Sequence, residues 1–577
     1  MPADNPSGFP YPMNEDPDRT IAYRTPQPAQ PMRHDPNPPT QAYGQNPPTQ
    51  VYGNPGQQQH QQNPPTQVYG NQPQWQQPEE LGWDLPPVEM AAPPARTGSR
   101  RPKGWIIAVA AALVVGVLAG GGVWAASKLL GGGSQPQDVL PGGNAIAYVR
   151  LDLDPAANQK LALFSIGRKF SSTKKAFSST DEDPRKALFS AIQEGSGAKF
   201  DYAKDIEPWL GSRVGVVVLN PAKAGAEPGF AAAIQVKDEG AAKAGIAKLS
   251  DGAKTGLAFR DGYAIIAETQ AKADNYAKAT PLAQNETFKN DLAALGEPGI
   301  LSFWADLGKL AGLSLVGTGA SVDQSMLDQV KNTRLAGALR FDGNYAELAG
   351  ITRGASPVAQ PPKPVTIGEL PASTVGAVSF SGLGDIISKQ WPQIQKAIES
   401  SPDGQSFTQQ IEQLKQSYGL SIPDDLISLF GSSISIAVDG DGIDGGQPKI
   451  GAVLTTDPTK AQEVLGKIQK FLADTGTTFP LATATGDGKL VVASAQDYAD
   501  TLGTAGTLGD DEGFKLAVPD AGKATYAMYV NLDKLEPLYT ANMSEEEAAD
   551  IKVLRAVGLS GQYSGGESSF TLRVLFN

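Results

Sequence analysis

At 577 residues the chain has room for three or four domains, and it contains no cysteine and only two histidines, His34 and His60. Disulfides, thiol nucleophiles, iron–sulfur clusters and cysteine zinc sites are thereby excluded, and everything after residue 60 lacks the histidine of a Ser-His-Asp or Cys-His triad. The net charge of −13 falls almost wholly on residues 129–577, where 40 Lys+Arg face 52 Asp+Glu, a balance poorly suited to gripping nucleic acid or an anionic lipid surface through bulk charge.

Residues 1–104 are dominated by Pro, Gln, Asn and Gly and read as a disordered tail, because so little apolar surface cannot offset the entropy of ordering. An octapeptide recurs within them: NPPTQAYG at Asn37–Gly44 and NPPTQVYG at Asn46–Gly53 and Asn63–Gly70. The repeat reads either as a low-complexity spacer or as a multivalent docking and phosphorylation motif presenting Thr40, Thr49 and Thr66. Threonine followed by Gln and then by an aromatic at the third position resembles sites favoured by actinobacterial transmembrane Ser/Thr kinases, and a phosphothreonine reader would gain avidity from three copies.

Trp105–Ser127 runs 23 residues without a charge, long enough to cross a hydrocarbon core of about 30 Å, with Trp105 and Trp124 near its ends. Arg96, Arg100, Arg101 and Lys103 precede it and only Lys128 follows closely, which places the tail in the cytoplasm and the C-terminal region outside the cell membrane. Gly116 and Gly120 have the GxxxG spacing of a helix–helix contact, although so Gly/Ala-rich a segment yields that spacing by chance. Residues 128–138, with Gly131–Gln137 at their centre, read as a flexible stalk.

The remainder reads as two copies of one unit, 139–353 and 365–577, joined by the Pro-rich linker 354–364. Leu140–Val149 matches Leu370–Ser379 at offset 230, and Lys204–Val218 matches Asp424–Val438 at offset 220. The DGYAIIA stretch from Asp261 answers DGKLVVA from Asp487, and Glu286, Phe288 and Lys289 answer Glu512, Phe514 and Lys515, all at offset 226. Leu307–Leu310 answers Leu532–Leu535, and the closing LAGALRFDG from Leu335 answers VGLSGQYSG from Val557 at offset 222.

Each copy opens on a strand (145–153; 375–380) followed by helices such as 184–194 and 405–417. A Leu-Gly-Ser or Phe-Gly-Ser turn then feeds a strand (214–219; 434–438), and a second strand (230–236; 450–455) leads to a helix (240–249; 459–472). Hairpins turn on Asp261-Gly262 and Asp487-Gly488, and a further strand (300–307; 525–532) and a final hairpin close the unit. The pattern predicts an α+β protein of two tandem similar units, each a largely antiparallel sheet with helices on one side, after a disordered tail and one transmembrane helix.

The Pro/Gln-rich tail, the single apolar span and the opening LPGGNAIAYVRLDLDP of Leu140–Pro155 together resemble an uncharacterised actinobacterial single-pass membrane-anchored family classed as a domain of unknown function. The resemblance covers roughly residues 139–577, implies the same topology and carries no catalytic residue across.

Candidate chemistry is sparse. Asp439, Asp441 and Asp444 sit in a Gly-rich loop that could offer oxygens to Ca²⁺, but Asp444 stands where an EF-hand needs glycine and Ile450 where it needs glutamate, so a plain turn between strands is the simpler reading. Asp152 and Asp154 alternate with Leu151 and Leu153, as on the wet face of a strand, and Asp183-Pro184 fits a helix start. The matched apolar residues Trp209/Phe430, Phe303 or Trp304/Tyr529 and Phe341/Tyr563 read as core, or as the lining of a lipid-sized cavity.

The expectation is therefore a non-enzymatic membrane-anchored cell-envelope protein with a duplicated extracytoplasmic binding region and no cofactor or metal. Its partners would be an envelope protein, glycan or lipid, and no nucleic acid. A hydrophobic-ligand carrier, a carboxylate-based envelope enzyme and a passive structural spacer are the alternatives. A deep acidic cleft would favour the enzyme, an apolar tunnel the carrier, and a flat surface the interaction protein.

Overall fold

The computed structural model describes residues 134–577, except 155, 175–176, 178–184, 187–188, 190–199, 224–225, 250–254, 319–327, 329, 356–360, 402–403, 444–447, 477–480 and 541–542. The tail with Thr40, Thr49 and Thr66, the Trp105–Ser127 stretch with Gly116 and Gly120, and Asp181–Pro184 all lie outside the described residues.

The first copy comprises β1 (Ala145–Asp152), α1 (Ala157–Gly167), a single turn at Ser171–Lys174, β2 (Leu210–Leu219), β3 (Gly229–Val236), α2 (Glu239–Leu249), β4 (Gly256–Arg260), β5 (Tyr263–Ala267), α3 (Gln270–Lys278), α4 (Glu286–Leu295), β6 (Leu301–Asp306), α5 (Leu307–Thr318), β7 (Arg334–Asp342) and β8 (Tyr345–Arg353). In the second copy β9 (Thr374–Ser381) leads to α6 (Leu383–Glu399), α7 (Gly404–Tyr418) and α8 (Asp424–Phe430), then β10 (Ser433–Asp439) and β11 (Ile450–Thr455). After these come α9 (Pro458–Asp474), β12 (Ala482–Gly486), β13 (Lys489–Ala493), α10 (Gln496–Leu502), α11 (Glu512–Ala517), β14 (Tyr526–Asn531), α12 (Leu532–Thr540), α13 (Glu545–Ile551), β15 (Leu554–Ser564) and β16 (Glu567–Phe576).

Local chemistry explains the boundaries. The β-branched run of β2 suits a strand buried on both faces. Asp457 accepts from the amides of Thr459 and Lys460 and Pro458 opens α9, a well-formed helix start. The Asp261-Gly262 turn holds both residues at positive φ (48° and 78°), the geometry of a two-residue hairpin. Equivalent caps recur in both copies: Asn285 accepts from the amide of Phe288, and Asp511, 226 residues on, from that of Phe514. The Leu210-Gly211-Ser212 stretch, expected as a turn, instead lies within β2, where a shift in register absorbs it.

The sixteen strands form one continuous sheet, ordered β12-β13-β11-β10-β9-β14-β15-β16-β8-β7-β6-β1-β2-β3-β5-β4. Each copy contributes eight strands in the same internal order, and β8 pairs with β16 antiparallel at the seam. Ala349 lies directly opposite Thr571, its own counterpart 222 residues on, so a pseudo-two-fold axis passes through this pair. Because paired residues point to one side, equivalent residues of the two copies share a face. Two ion pairs bridge the seam between directly opposed residues: Arg353 with Glu567 at 2.8 Å and Arg573 with Glu347 at 2.8 Å.

Helices cover both faces, which corrects the expectation of helices on one side. On the front face Leu151, Val216 and Phe303 pack with Phe164 of α1, Ile246 of α2 and Trp209. The back face buries Tyr148, Tyr263 and Trp304 against Phe288 of α4. The second copy repeats the plan, with Ile434, Leu454 and Leu490 under α8 and α9 in front, and Tyr529, Ala377 and Val491 with Phe514 and Tyr498 behind. One aromatic contact recurs almost unchanged: Phe288 meets Trp304 edge-on with centroids 5.7 Å apart, and Phe514 meets Tyr529 at 5.2 Å. A strand-rich unit whose central strands are apolar on both sides needs two cover layers, and alternation in the outer strands alone does not reveal that.

Candidate functional site

Asp152 is buried rather than wet. Its carboxylate accepts from Arg150 Nη2 at 2.7 Å and lies 3.6 Å from Arg213 Nε, with all three side chains less than a tenth exposed. Burial pushes the Asp152 carboxyl up, opposed by the two guanidinium charges. The expectation failed because the back face of β1 is roofed by the segment that precedes it. Arg150 also donates to Gln135 Oε1 (3.0 Å) and to the Gly299 carbonyl (3.1 Å), while the hydroxyls of Tyr148 and Tyr263 donate to Gln137 Oε1 (2.6 Å) and to the Ser134 carbonyl (2.7 Å). Of the stretch read as a stalk, Ser134–Asp138 is thus clamped to the sheet, with Pro136 buried in a 3-10 turn. Desolvation raises the Tyr263 phenol to about 12 and Tyr148 further.

The second buried carboxylate, Asp291, accepts from Trp304 Nε1 at 2.9 Å and from Arg334 Nε at 2.7 Å; the third, Glu347, accepts from Arg340 and Arg573. Each is held by arginines in a structural pair. Asp439 ends β10 buried, with an oxygen accepting from the Asp441 amide at 3.3 Å, an ordinary turn contact; Asp444 lies outside the described residues. Among the described residues no three His, Cys, Asp or Glu side chains are placed to hold a metal ion. A shallow cavity of about 440 Å³ opens beside Phe514, Glu369 and Asp510. Its charged rim is already engaged, Glu369 with Lys489, Asp510 with Lys515 and Asp520 with Lys523.

The two copies differ most on the front face. In the first, Val149, Leu151, Val216, Leu301 and Phe303 are buried, between 2 % and 8 % exposed. The pairing registers make Val378, Phe380, Ile436, Tyr526 and Met528 their counterparts. There Phe380 is 41 % and Ile436 39 % exposed, and the other three are half-buried. The row continues through directly opposed Leu559 and Leu572, both half-buried, as far as the seam. The helix pair that follows β9 also leaves Ile386, Ile394 and Phe407 exposed. Monomeric surfaces seldom leave so continuous an apolar area open. Sequence matching set Val216 against Ile436 but put Val149 against Ser379, one residue off the structural register, and gave no sign of the difference in exposure.

Each sheet edge carries a side-chain cap that the sequence reading missed. The Gln270 amide donates to the Leu257 carbonyl at 2.8 Å and accepts from the Leu257 amide at 3.1 Å, covering edge strand β4. Its counterpart Gln496 donates to the Thr483 carbonyl on β12 at 3.3 Å, and each glutamine is braced by an aspartate four residues on, Asp274 or Asp500. A capped edge resists strand addition.

Of the core readings, Trp209, Trp304, Tyr529 and Phe341 are buried, while Phe430 and Tyr563 are half-buried. Among the described residues no helix is long and apolar enough to cross a membrane. A duplicated antiparallel sheet covered by helices, with Asp152, Asp291 and Glu347 each paired to arginine, defines the class of architecture. The family follows from comparison: the model described as a protein of unknown function, DUF3352, matches residues 107–273 and again 265–525, and the chain belongs to that family. The first match begins inside the Trp105–Ser127 stretch. No curated protein and no solved structure matches the chain.

Proposed function

We propose that this is a non-enzymatic, single-pass cell-envelope protein whose duplicated extracytoplasmic region binds another molecule on the open front face of its second copy. The observation that carries the reading is the contrast between equivalent positions, Leu151 at 3 % and Phe380 at 41 % exposure in the same sheet environment. Anchoring is supported by the charge-free length of Trp105–Ser127 and its basic flank. The tail would act as a regulatory arm through Thr40, Thr49 and Thr66; mass spectrometry finding all three unmodified in growing cells removes its phosphorylation. A carboxylate-based enzyme is disfavoured because Asp152, Asp291 and Glu347 are each occupied by arginine. The test places a photo-crosslinking amino acid at position 380 of the full-length chain in intact cells. Adducts with another molecule are expected there and not at Leu161, an exposed residue of the first copy. A position 380 that yields no adduct rejects the reading.

A further inference from the structure

We propose that the occupant of the open front face is a lipid acyl chain lying across strands β10, β9, β14, β15 and β16. The inference rests on the binding and anchoring reading above and names the ligand class. Its floor is the row of directly opposed residues Ile436, Val378, Met528, Leu559 and Leu572, with Phe380 and Tyr526 alongside. Four strand spacings of about 4.8 Å make this row roughly 19 Å long. One leaflet of a hydrocarbon core about 30 Å thick is spanned by a chain of about 15 Å, so the row is long enough for one acyl chain. The floor carries no charged side chain, and its polar atoms are those of Tyr526, whose hydroxyl reaches the Ser569 carbonyl at 3.2 Å. What fits such a surface is long, apolar and featureless.

The first copy shows what belongs there. Its equivalent positions are covered by the chain's own Phe164, Ile206 and Trp209, so the fold expects an apolar layer at this height. The second copy supplies that layer over Ile434, Leu454 and Leu490 and leaves it open over Phe380 and Ile436. The side-chain caps of Gln270 and Gln496 on the two edge strands disfavour a polypeptide joining the sheet by strand addition. The tether supplies the source: only residues 128–133 separate the end of the apolar span from Ser134, whose hydroxyl donates to the Asp261 carbonyl at 3.0 Å. Six extended residues reach at most about 21 Å. With the apolar span in a bilayer, the clamp therefore holds the sheet beside it.

The experiment uses the full-length protein in vesicles of phosphatidylethanolamine and phosphatidylglycerol containing a phospholipid with a diazirine on one acyl chain. After irradiation, label is expected on peptides from β9, β10 and β14 as well as on residues 105–127. Ile436→Lys should lower the strand label about tenfold or more, since a charge is set into an apolar contact. Phe380→Glu should do the same, while Leu161→Lys leaves the label unchanged, and label on residues 105–127 serves as the internal standard in every variant. Unaltered urea midpoints separate lost binding from lost folding. Label confined to residues 105–127, or equal strand label in wild type and Ile436→Lys, overturns the proposal. Adducts at position 380 with protein or with a second copy of the chain, together with absent strand label, overturn the acyl chain and leave the binding reading standing.

Discussion

The two copies share a strand order, paired caps, edge glutamines and a Phe-to-aromatic contact, yet they diverge at two matched places. On the back face, Arg150, Asp152 and Arg213 of the first copy correspond to Ser379, Ser381 and Ser433 of the second. The serines satisfy themselves locally, Ser379 donating to Ser435 at 2.8 Å and Ser433 to Thr455 at 2.9 Å. The charged set also grips an incoming segment, Arg150 donating to Gln135 Oε1 and Arg213 to the Ser134 carbonyl. On the front face the first copy is closed, whereas the second is covered over Ile434, Leu454 and Leu490 and open over Phe380 and Ile436. The two copies thus differ on opposite faces of one sheet, the first in the charged set that holds Ser134 and Gln135 and the second in the apolar residues it leaves exposed.

Substitution of the shared aromatic tests the equivalence first. Phe288→Ala and Phe514→Ala should each lower stability by about 4 kcal/mol in urea unfolding, and a large difference between them would break the symmetry. The front face should then separate the copies: Leu151→Ala is expected to cost about 3 kcal/mol and Phe380→Ala about 1 kcal/mol, because the latter is already partly in water. Equal costs would mean the second copy is closed as well. On the back face, Asp152→Ala leaves two buried guanidinium groups without their anion and should cost about 3 kcal/mol, against about 1 kcal/mol for Ser381→Ala.

Alkaline titration should show the copies alike. Burial raises Tyr263 in the first and Tyr529 in the second each to about 12. Between pH 10 and that value the unfolded chain gives up its phenolic protons while the native protein keeps them, so stability is intact below pH 10 and falls as pH rises. Tyr263→Phe and Tyr529→Phe should each flatten this decline in unfolding curves recorded across the range. The smallest effect belongs to the edges: Gln270→Ala and Gln496→Ala should change stability by under about 1 kcal/mol and raise self-association in sedimentation, with the double variant strongest.

Much of the fold was legible because its signals are local. Asp-Gly turns, alternating strands and the recurrence of Glu286/Phe288/Lys289 as Glu512/Phe514/Lys515 place most elements within a few residues. The fusion of two sheets into one was not legible, since β8 and β16 pair across more than 200 residues and nothing in either strand marks the other as its neighbour. Asp152 misled because period-two alternation reports only which residues share a face, and the partner of that face is a segment beginning at Ser134.

The amino-acid sequence by itself determined the duplication, the α+β character, the exclusion of thiol and histidine chemistry, and an apolar stretch long enough to span a membrane. Only the tertiary structure decided which apolar residues are core and which form a surface. Val216 and Ile436 are interchangeable as side chains, and they differ because Trp209 and Phe164 pack in the core over the first while the second is left open. Hydrophobicity is a property of the residue, whereas burial belongs to whatever the rest of the chain brings to it.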